Sequence, residues 1–165
     1  MFVCFQGENG IRDLCLSREL GDGYKGQQYD DAIDQGKTVL VSGGKILKSG
    51  AWFKPALLAD ITPDMRAYHD ELFGPVAVVY KANDVEDAIR LANDTPFGLG
   101  ACIHTHDMDG GQRIAERLEV GMVSSNQAPG TAAELPFGGV KQSGFGRELG
   151  PYGMSEFVNF KLYNR

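Results

Sequence analysis

Apolar and polar positions fall into order along this chain only from Gln27 onward. Before it, Gly7, Gly10, Gly21, Gly23 and Gly26 interrupt any period, and Leu14 and Leu16 hint at one short element. The run QQYDDAIDQG (27–36) puts Tyr29, Ala32 and Ile33 on one side of a helix, with Gly36 placed as its C-cap. KTVLVSGG reads as a short strand closed by a glycine turn. In the extended run AWFKPALLADI, Pro55 marks an edge or a strand start. PVAVVYKA (75–82) is continuously apolar, the pattern of a strand buried on both faces. NDVEDAIRLAND offers Asn83 or Asp84 as N-cap, with Val85, Ala88, Ile89 and Ala92 at helical spacing. LGACIHTH (99–106) predicts a strand and GMVSSN (121–126) another. Between them, DMDGGQRIAERLEVG predicts a helix with Ile114, Ala115 and Leu118 on one face and Gly121 at its end.

Strand, helix, strand, helix, strand at this spacing implies right-handed crossovers. The expected fold class is therefore α/β, a mostly parallel sheet flanked by helices. A loop after Asn126 leads into LPFGGVKQSGFGRELG (135–150), and the apolar tail SEFVNFKLYN reads as a terminal strand. There is no internal repeat and no low-complexity tract.

Composition narrows the function classes. A length of 165 residues with 42% hydrophobic residues fits one globular domain with a real core. A formal charge of −6 and a pI near 5.0 argue against nucleic-acid binding, whose footprint is basic. No apolar run approaches the roughly 18 residues of a membrane span. The N-terminal residues lack the basic flank and apolar core of a signal peptide. Three widely spaced cysteines, Cys4, Cys15 and Cys102, do not form a disulfide framework, so a reducing cytoplasm is the simplest setting.

Several short motifs invite chemistry and have plainer readings beside it. GGVKQSGFG matches neither GxGxxG after a strand nor GxxxxGK[ST], so tight backbone packing is preferred to phosphate binding. SGGK (42–45) reads as a turn on the same grounds, and ELFGPV as a loop turning at Gly74-Pro75. Cys102, His104 and His106 alternate along a strand and share a face. They offer zinc-type ligands without a fourth partner, so ordinary strand side chains are the expectation and no metal site is assigned.

Taken together, ELFGPV, AIRLANDTPFGLGA, LEVGMVSSN, LPFGGVKQSGFGRELG and GMSEFVNFK stand in an order and spacing that resembles the C-terminal third of the NAD(P)-dependent aldehyde dehydrogenase superfamily. Within that family the wording is similar to succinate-semialdehyde dehydrogenases. The resemblance runs from about Gln27 to Arg165. It divides the chain into 1–26, an irregular segment outside the match; 27–156, a catalytic-domain portion; and 157–165, a strand or tail for oligomerisation.

The resemblance implies roles. Glu71 matches the acceptor for the nicotinamide ribose of NAD or NADP, and Phe73 the aromatic beside the nicotinamide. Phe137 matches a substrate-pocket aromatic. The loop 127–135 matches the substrate-entrance loop, where Thr131 stands in position to face a substrate carboxylate. A small aldehyde is the implied substrate, and a homodimer or tetramer the implied assembly.

Family catalysis uses a cysteine nucleophile and a glutamate general base. By register both fall before Met1, as does the dinucleotide-binding core. Cys4 and Cys15 lie outside the match and lack the family's Gly-Gln-x-Cys context, and Cys102 falls in a structural strand. The expectation is therefore a chain without catalytic residues of its own, the C-terminal part of an aldehyde dehydrogenase, inactive alone. The alternatives are a non-enzymatic oligomerisation module, or one chain of a split enzyme.

Overall fold

The computed structural model describes residues 2–4, 29–34, 38–41, 44–45, 53–128 and 130–165. The expected Gly36 cap and any element around Leu14 and Leu16 lie outside them. The chain divides into two compact units, Met1–Leu91 and Ala92–Arg165.

The first unit runs β1 (Phe2–Cys4), α1 (29–34), β2 (Thr38–Val41), β3 (Gly44–Lys45), β4 (Phe53–Lys54), β5 (Ala56–Ala59), α2 (Arg66–His69) and β6 (Val76–Lys81). Four of these strands pair in the order β1-β6-β5-β2. β5 and β6 are parallel, and the outer ladders are antiparallel. Pro55 separates β4 from β5, and β4 pairs with β3 instead of joining the larger sheet. A proline cannot donate to a ladder, so a strand start is where it belongs. At the N-terminus the structure departs from the irregular reading, since Phe2–Cys4 pair with β6.

Alternation along β5 turns Ala56 and Leu58 inward. Leu58 is 0% exposed and sits in a core with Ala32, Ile61, Met65 and Ala67. Tyr29, Ile33, Tyr68, Val76, Val78 and Tyr80 pack against that core. Tyr68 meets Tyr80 edge-on with ring centres 5.7 Å apart. Burial, reinforced by Tyr68, pushes the Tyr80 phenol up to about 12, so it stays neutral. Arg66 ties α2 to α1 through Asp31 (3.3 Å) and pairs within its own helix end with Asp70 (3.1 Å). In such solvent contact each pair contributes at most about 1 kcal/mol. β6 is half-buried along its apolar length, not buried on both faces as its composition suggests. Its Val76, Val78 and Tyr80 take the core side.

Helix α3 (Val85–Asn93) starts where expected: Asp84 Oδ1 accepts from the Asp87 amide at 2.8 Å. Asp87 reaches back to the Asn83 amide at 3.1 Å. That bond, with Arg90 close behind, holds the Asp87 carboxyl below its ordinary range. Ala88, Ile89 and Ala92 are buried, but Val85 is 44% exposed. As first residue of the helix it precedes the buried stripe.

The second unit continues through β7 (Phe97–Gly98), β8 (Gly100–Ile103), α4 (Met108–Ala115), β9 (Met122–Ser125), β10 (Val140–Lys141) and α5 (Gly150–Ser155). β8 and β9 are parallel with α4 between them, a βαβ unit. β10 pairs antiparallel with β7. Asp107 caps α4 by accepting from the Gly110 amide at 2.9 Å. Asn126, left-handed at φ 55°, exchanges two bonds of 2.8 Å with the Thr105 backbone. That exchange locks together the turns leaving β8 and β9. The strand expected over 99–106 therefore stops at Ile103, and the helix expected to reach Gly121 ends at Ala115.

The tail expected as a terminal strand is not one here. α5 ends at Ser155, and residues 158–165 are exposed and join no ladder. A strand needs a neighbour's amides and carbonyls, and none of the described residues supplies them. Among the described residues no helix is long and apolar enough to cross a membrane.

Leu58 offers the direct test of the first unit's core. Leu58→Ala should cost about 3 kcal/mol of unfolding free energy, read by denaturant titration with an unchanged slope.

Candidate functional site

Glu71 and Phe73 sit on the turn between α2 and β6, in the first unit. The turn is tight: the Gly74 amide donates to Leu72 O at 2.9 Å, and Pro75 O accepts from the Ala56 amide at 2.9 Å as the strands begin. Glu71 is half-buried, and no described residue donates to its carboxylate. Burial alone raises its pKa above the ordinary value. Its neighbour two residues on, Phe73, is 47% exposed. A desolvated acceptor without a donor and an uncovered ring on one turn form a site suited to a ligand with hydroxyls and a flat apolar group.

Phe137 and Thr131 belong to the second unit. Phe137 is half-buried, and its backbone exchanges two hydrogen bonds with Glu148, at 2.7 and 2.6 Å. The ten residues between them form a closed loop. Inside it, the Arg147 guanidinium donates to Gly139 O (2.8 Å) and Gly146 O (2.6 Å). Outside it, Gly98 donates its amide to Ser143 Oγ at 3.0 Å, and Gln142 donates its own to Pro96 O at 2.9 Å. Beneath Phe137 the backbone of Gly138 lies directly on Gly121, where a Cβ would overlap the Gly138 carbonyl. The glycine motif thus holds backbone against backbone, as its failure to match a phosphate loop suggested.

Thr131 is exposed, upstream of a pinned stretch. The Leu135 amide donates to Ala132 O (3.0 Å) and the Gly150 amide to Ala133 O (2.9 Å). The sequence therefore places its candidates in two pairs, Glu71 with Phe73 and Phe137 with Thr131, each on its own unit.

Two supporting residues escaped the sequence reading. Lys141, at φ 57°, donates to Asn93 O (2.7 Å) and Thr95 O (3.1 Å), and pairs with Glu119 at 2.8 Å. Its ammonium caps the carbonyl end of α3, where a helix carries partial negative charge. The Asn93 side chain donates to Arg117 O (2.9 Å) and accepts from the Glu119 amide (2.9 Å). These residues lie 22 to 48 positions apart, so no local pattern announces them.

Cys102 donates its thiol to Gln127 O at 3.0 Å and lies 3.4 Å from His104 Nε2. His106 is exposed beyond the strand. Among the described residues no group of three His, Cys, Asp or Glu could hold a metal ion.

Residues 25–163 match the model of the aldehyde dehydrogenase family. The chain is 56% identical over 135 residues to a succinate-semialdehyde dehydrogenase [NADP(+)] of Deinococcus radiodurans, covering 82% of this chain and 28% of that protein. It is 44% identical to the succinate semialdehyde dehydrogenase [NAD(P)+] Sad of Escherichia coli, covering 81% and 29%. Among solved structures, the succinic semialdehyde dehydrogenase of Streptococcus pyogenes in complex with NADP+ superposes with a TM-score of 0.80 at 36% identity. That match covers 88% of this chain and 32% of the other. The chain thus spans less than a third of the length of these relatives.

Two substitutions contrast a glycine packed against the motif with one in open space. Gly121→Ala should cost about 3 kcal/mol or more in thermal or denaturant unfolding, because backbone must move. Gly74→Ala, with nothing within 4 Å, should fall within about 0.5 kcal/mol of the parent. Leu149, at φ 60° and ψ 174°, occupies a region suited to glycine. Leu149→Gly should therefore stabilise by about 1 kcal/mol, strain relief exceeding the added unfolded-state entropy, and raise Tm.

Proposed function

The chain belongs to the aldehyde dehydrogenase family, and on that premise we propose that it contributes the nicotinamide-ribose contact and a substrate-pocket wall to NAD(P)-dependent oxidation of a small aldehyde. Succinate semialdehyde is the substrate favoured by the names of its relatives. The observation that carries the reading is Glu71, a half-buried carboxylate with no donor among the described residues, beside the exposed Phe73. Two ribose hydroxyls would satisfy that carboxylate, and Phe73 offers an apolar face to the nicotinamide. Bound there, NAD+ or NADP+ would accept hydride from the aldehyde. Phe137 lines the pocket, and Thr131 offers its hydroxyl to the distal carboxylate of a semialdehyde.

We assign no nucleophile within these 165 residues. The Cys102 thiol is engaged by Gln127 O, and Cys4 falls in β1. The chain by itself therefore contributes only part of a cofactor site and does not turn over aldehyde. The exposed apolar tail at 157–163 suits a strand completed in a homo-oligomer, a dimer or tetramer. The few scattered cysteines suit a reducing cytoplasm.

The test is calorimetry with NAD+ and NADP+, together with an assay of their reduction by succinate semialdehyde and simple aldehydes. No turnover is expected, with weak cofactor binding at most; tight binding without turnover would favour one chain of a split enzyme. Glu71→Gln should weaken binding about tenfold to a hundredfold. Affinity of the parent should fall as pH drops through the raised Glu71 pKa, because the protonated carboxyl is the poorer acceptor. Turnover by the isolated chain, abolished by Cys4→Ser or Cys15→Ser, would overturn the assignment of no nucleophile. Glu71→Gln binding as well as the parent would remove Glu71 from the cofactor site.

A further inference from the structure

The four-stranded sheet of the first unit ends in β1 on one side and β2 on the other. An outer strand presents a row of free amides and carbonyls to any other extended chain. At the β2 edge the ladder with β5 is irregular, its register shifting between Val39 and Val41. Such a shift bends an edge away from a flat partner. The opposite edge would belong to β6 if β1 were absent. From Val76 to Tyr80, β6 carries no charge, no proline and no glycine. That is the composition of a segment that stacks on other strands. Its ladder with β5 is regular over four consecutive pairs, from Ala56–Val76 to Ala59–Val79, so nothing in it bends the edge away.

β1 takes that edge. Phe2, Val3 and Cys4 pair antiparallel with Lys81, Tyr80 and Val79. Phe and Val are residues that favour extended backbone. The family match begins at residue 25, so β1 comes from a segment that the match does not include. The strand it pairs with lies well inside the match. A strand from outside the family sequence thus closes the edge of a strand from within it.

We propose that Phe2–Cys4 act as an intramolecular edge strand, occupying a strand-addition site on β6 and so keeping other extended chains from pairing there. Strand addition is driven by backbone hydrogen bonds, so the site accepts an extended segment and is indifferent to most of its side chains. The tether settles the competition, because it keeps Phe2–Cys4 at a high local concentration that a free segment in dilute solution does not reach. The shield therefore depends on the backbone of β1. Removing its amides opens the site, whereas changing its side chains to others that suit a strand does not. An opened edge adds strand upon strand without limit, which separates its outcome from that of a closed oligomer.

The experiment compares the 165-residue parent with two double variants. Val3→Pro/Cys4→Pro removes two successive amides, so a ladder donor is lost whichever of them faces β6. Val3→Thr/Cys4→Thr keeps both amides and places β-branched residues on the strand. Hydrogen exchange of the stretch 76–82 is read by mass spectrometry, and strand stacking by thioflavin T fluorescence and light scattering. The proline variant should exchange about tenfold faster or more over this stretch and should stack sooner than the parent, with cooperative unfolding retained. The threonine variant should match the parent in both. Equal exchange in the parent and the proline variant overturns the pairing. Faster exchange without faster stacking overturns the shielding role, and so does a threonine variant that stacks like the proline variant. Loss of cooperative unfolding in the proline variant overturns the proposal as well, since a shield is dispensable to the fold it covers.

Discussion

The second unit is organised around one place where backbone lies on backbone, the contact of Gly121 with Gly138. Side chains normally keep strands and loops apart by the width of at least a Cβ. Here the end of the α4–β9 connection and the start of the glycine-rich loop approach without that spacer, and Gly98 approaches Glu119 O and Val140 in the same manner. Short backbone hydrogen bonds then become available, including the Gly121 amide to Gly98 O at 3.0 Å. Phe137 immediately precedes Gly138 in sequence, so the approach fixes the backbone that carries its ring. Moving either backbone by the width of one methyl group would move the ring with it.

The two units are held by different means. The first has a conventional apolar centre, Leu58 surrounded by Ala32, Ile61, Met65 and Ala67, with tyrosine rings packed edge-on at its margin. In the second, the buried positions among the described residues are Ala92, Gly98, Ile103, Gly111, Gly139 and Gly153. Most of these have no side chain, so little transfer free energy is available there. Hydrogen bonds of a polar network take the place of apolar bulk. Lys141 caps α3, Asn93 closes the turn after α4, Asn126 joins the exits of β8 and β9, and Arg147 fills the closed loop. Such a unit gains little by collapsing and much by having each donor matched, which suits a loop that must present Phe137 in one orientation.

Against that background of matched polar groups, Glu71 is conspicuous. Arg66 and Asp87 both have ionic or hydrogen-bonded partners, and Asp87 is held in its charged form by them. Glu71 is burdened by burial, and among the described residues none donates to it in return. The same contrast applies to apolar groups. Leu58 is covered, whereas Phe73, Phe145 and the tail aromatics are not. An unmet acceptor and an uncovered ring on one turn are what the proposed ligand at Glu71 and Phe73 would complete.

Much of this was legible in the residues. Period and capping chemistry placed α1, α3, β5, β6, β8 and β9, because a helix or strand face is written at intervals of 3.6 or 2 residues. Asp84 was readable as a cap because it stands directly before a helical stripe. The five motifs identified the family, and with it the candidate site residues. The sequence could not say which partners those elements meet, since pairing is settled between residues tens of positions apart. Thus β6 looked fully buried and is half-buried, Val85 looked inward and is exposed, and the strand begun at Gly100 stops at Ile103 where Asn126 seizes Thr105. The Lys141 cap and the Phe137–Glu148 bridge have no local signature at all. The tail's alternation describes a strand, but a strand exists only where a neighbour's amides and carbonyls meet it. Local chemistry thus determined which segments are able to form elements and what their side chains are able to bind. Tertiary structure decided which of those capacities are met within one copy of the chain, because only three-dimensional proximity satisfies a hydrogen bond or covers a ring.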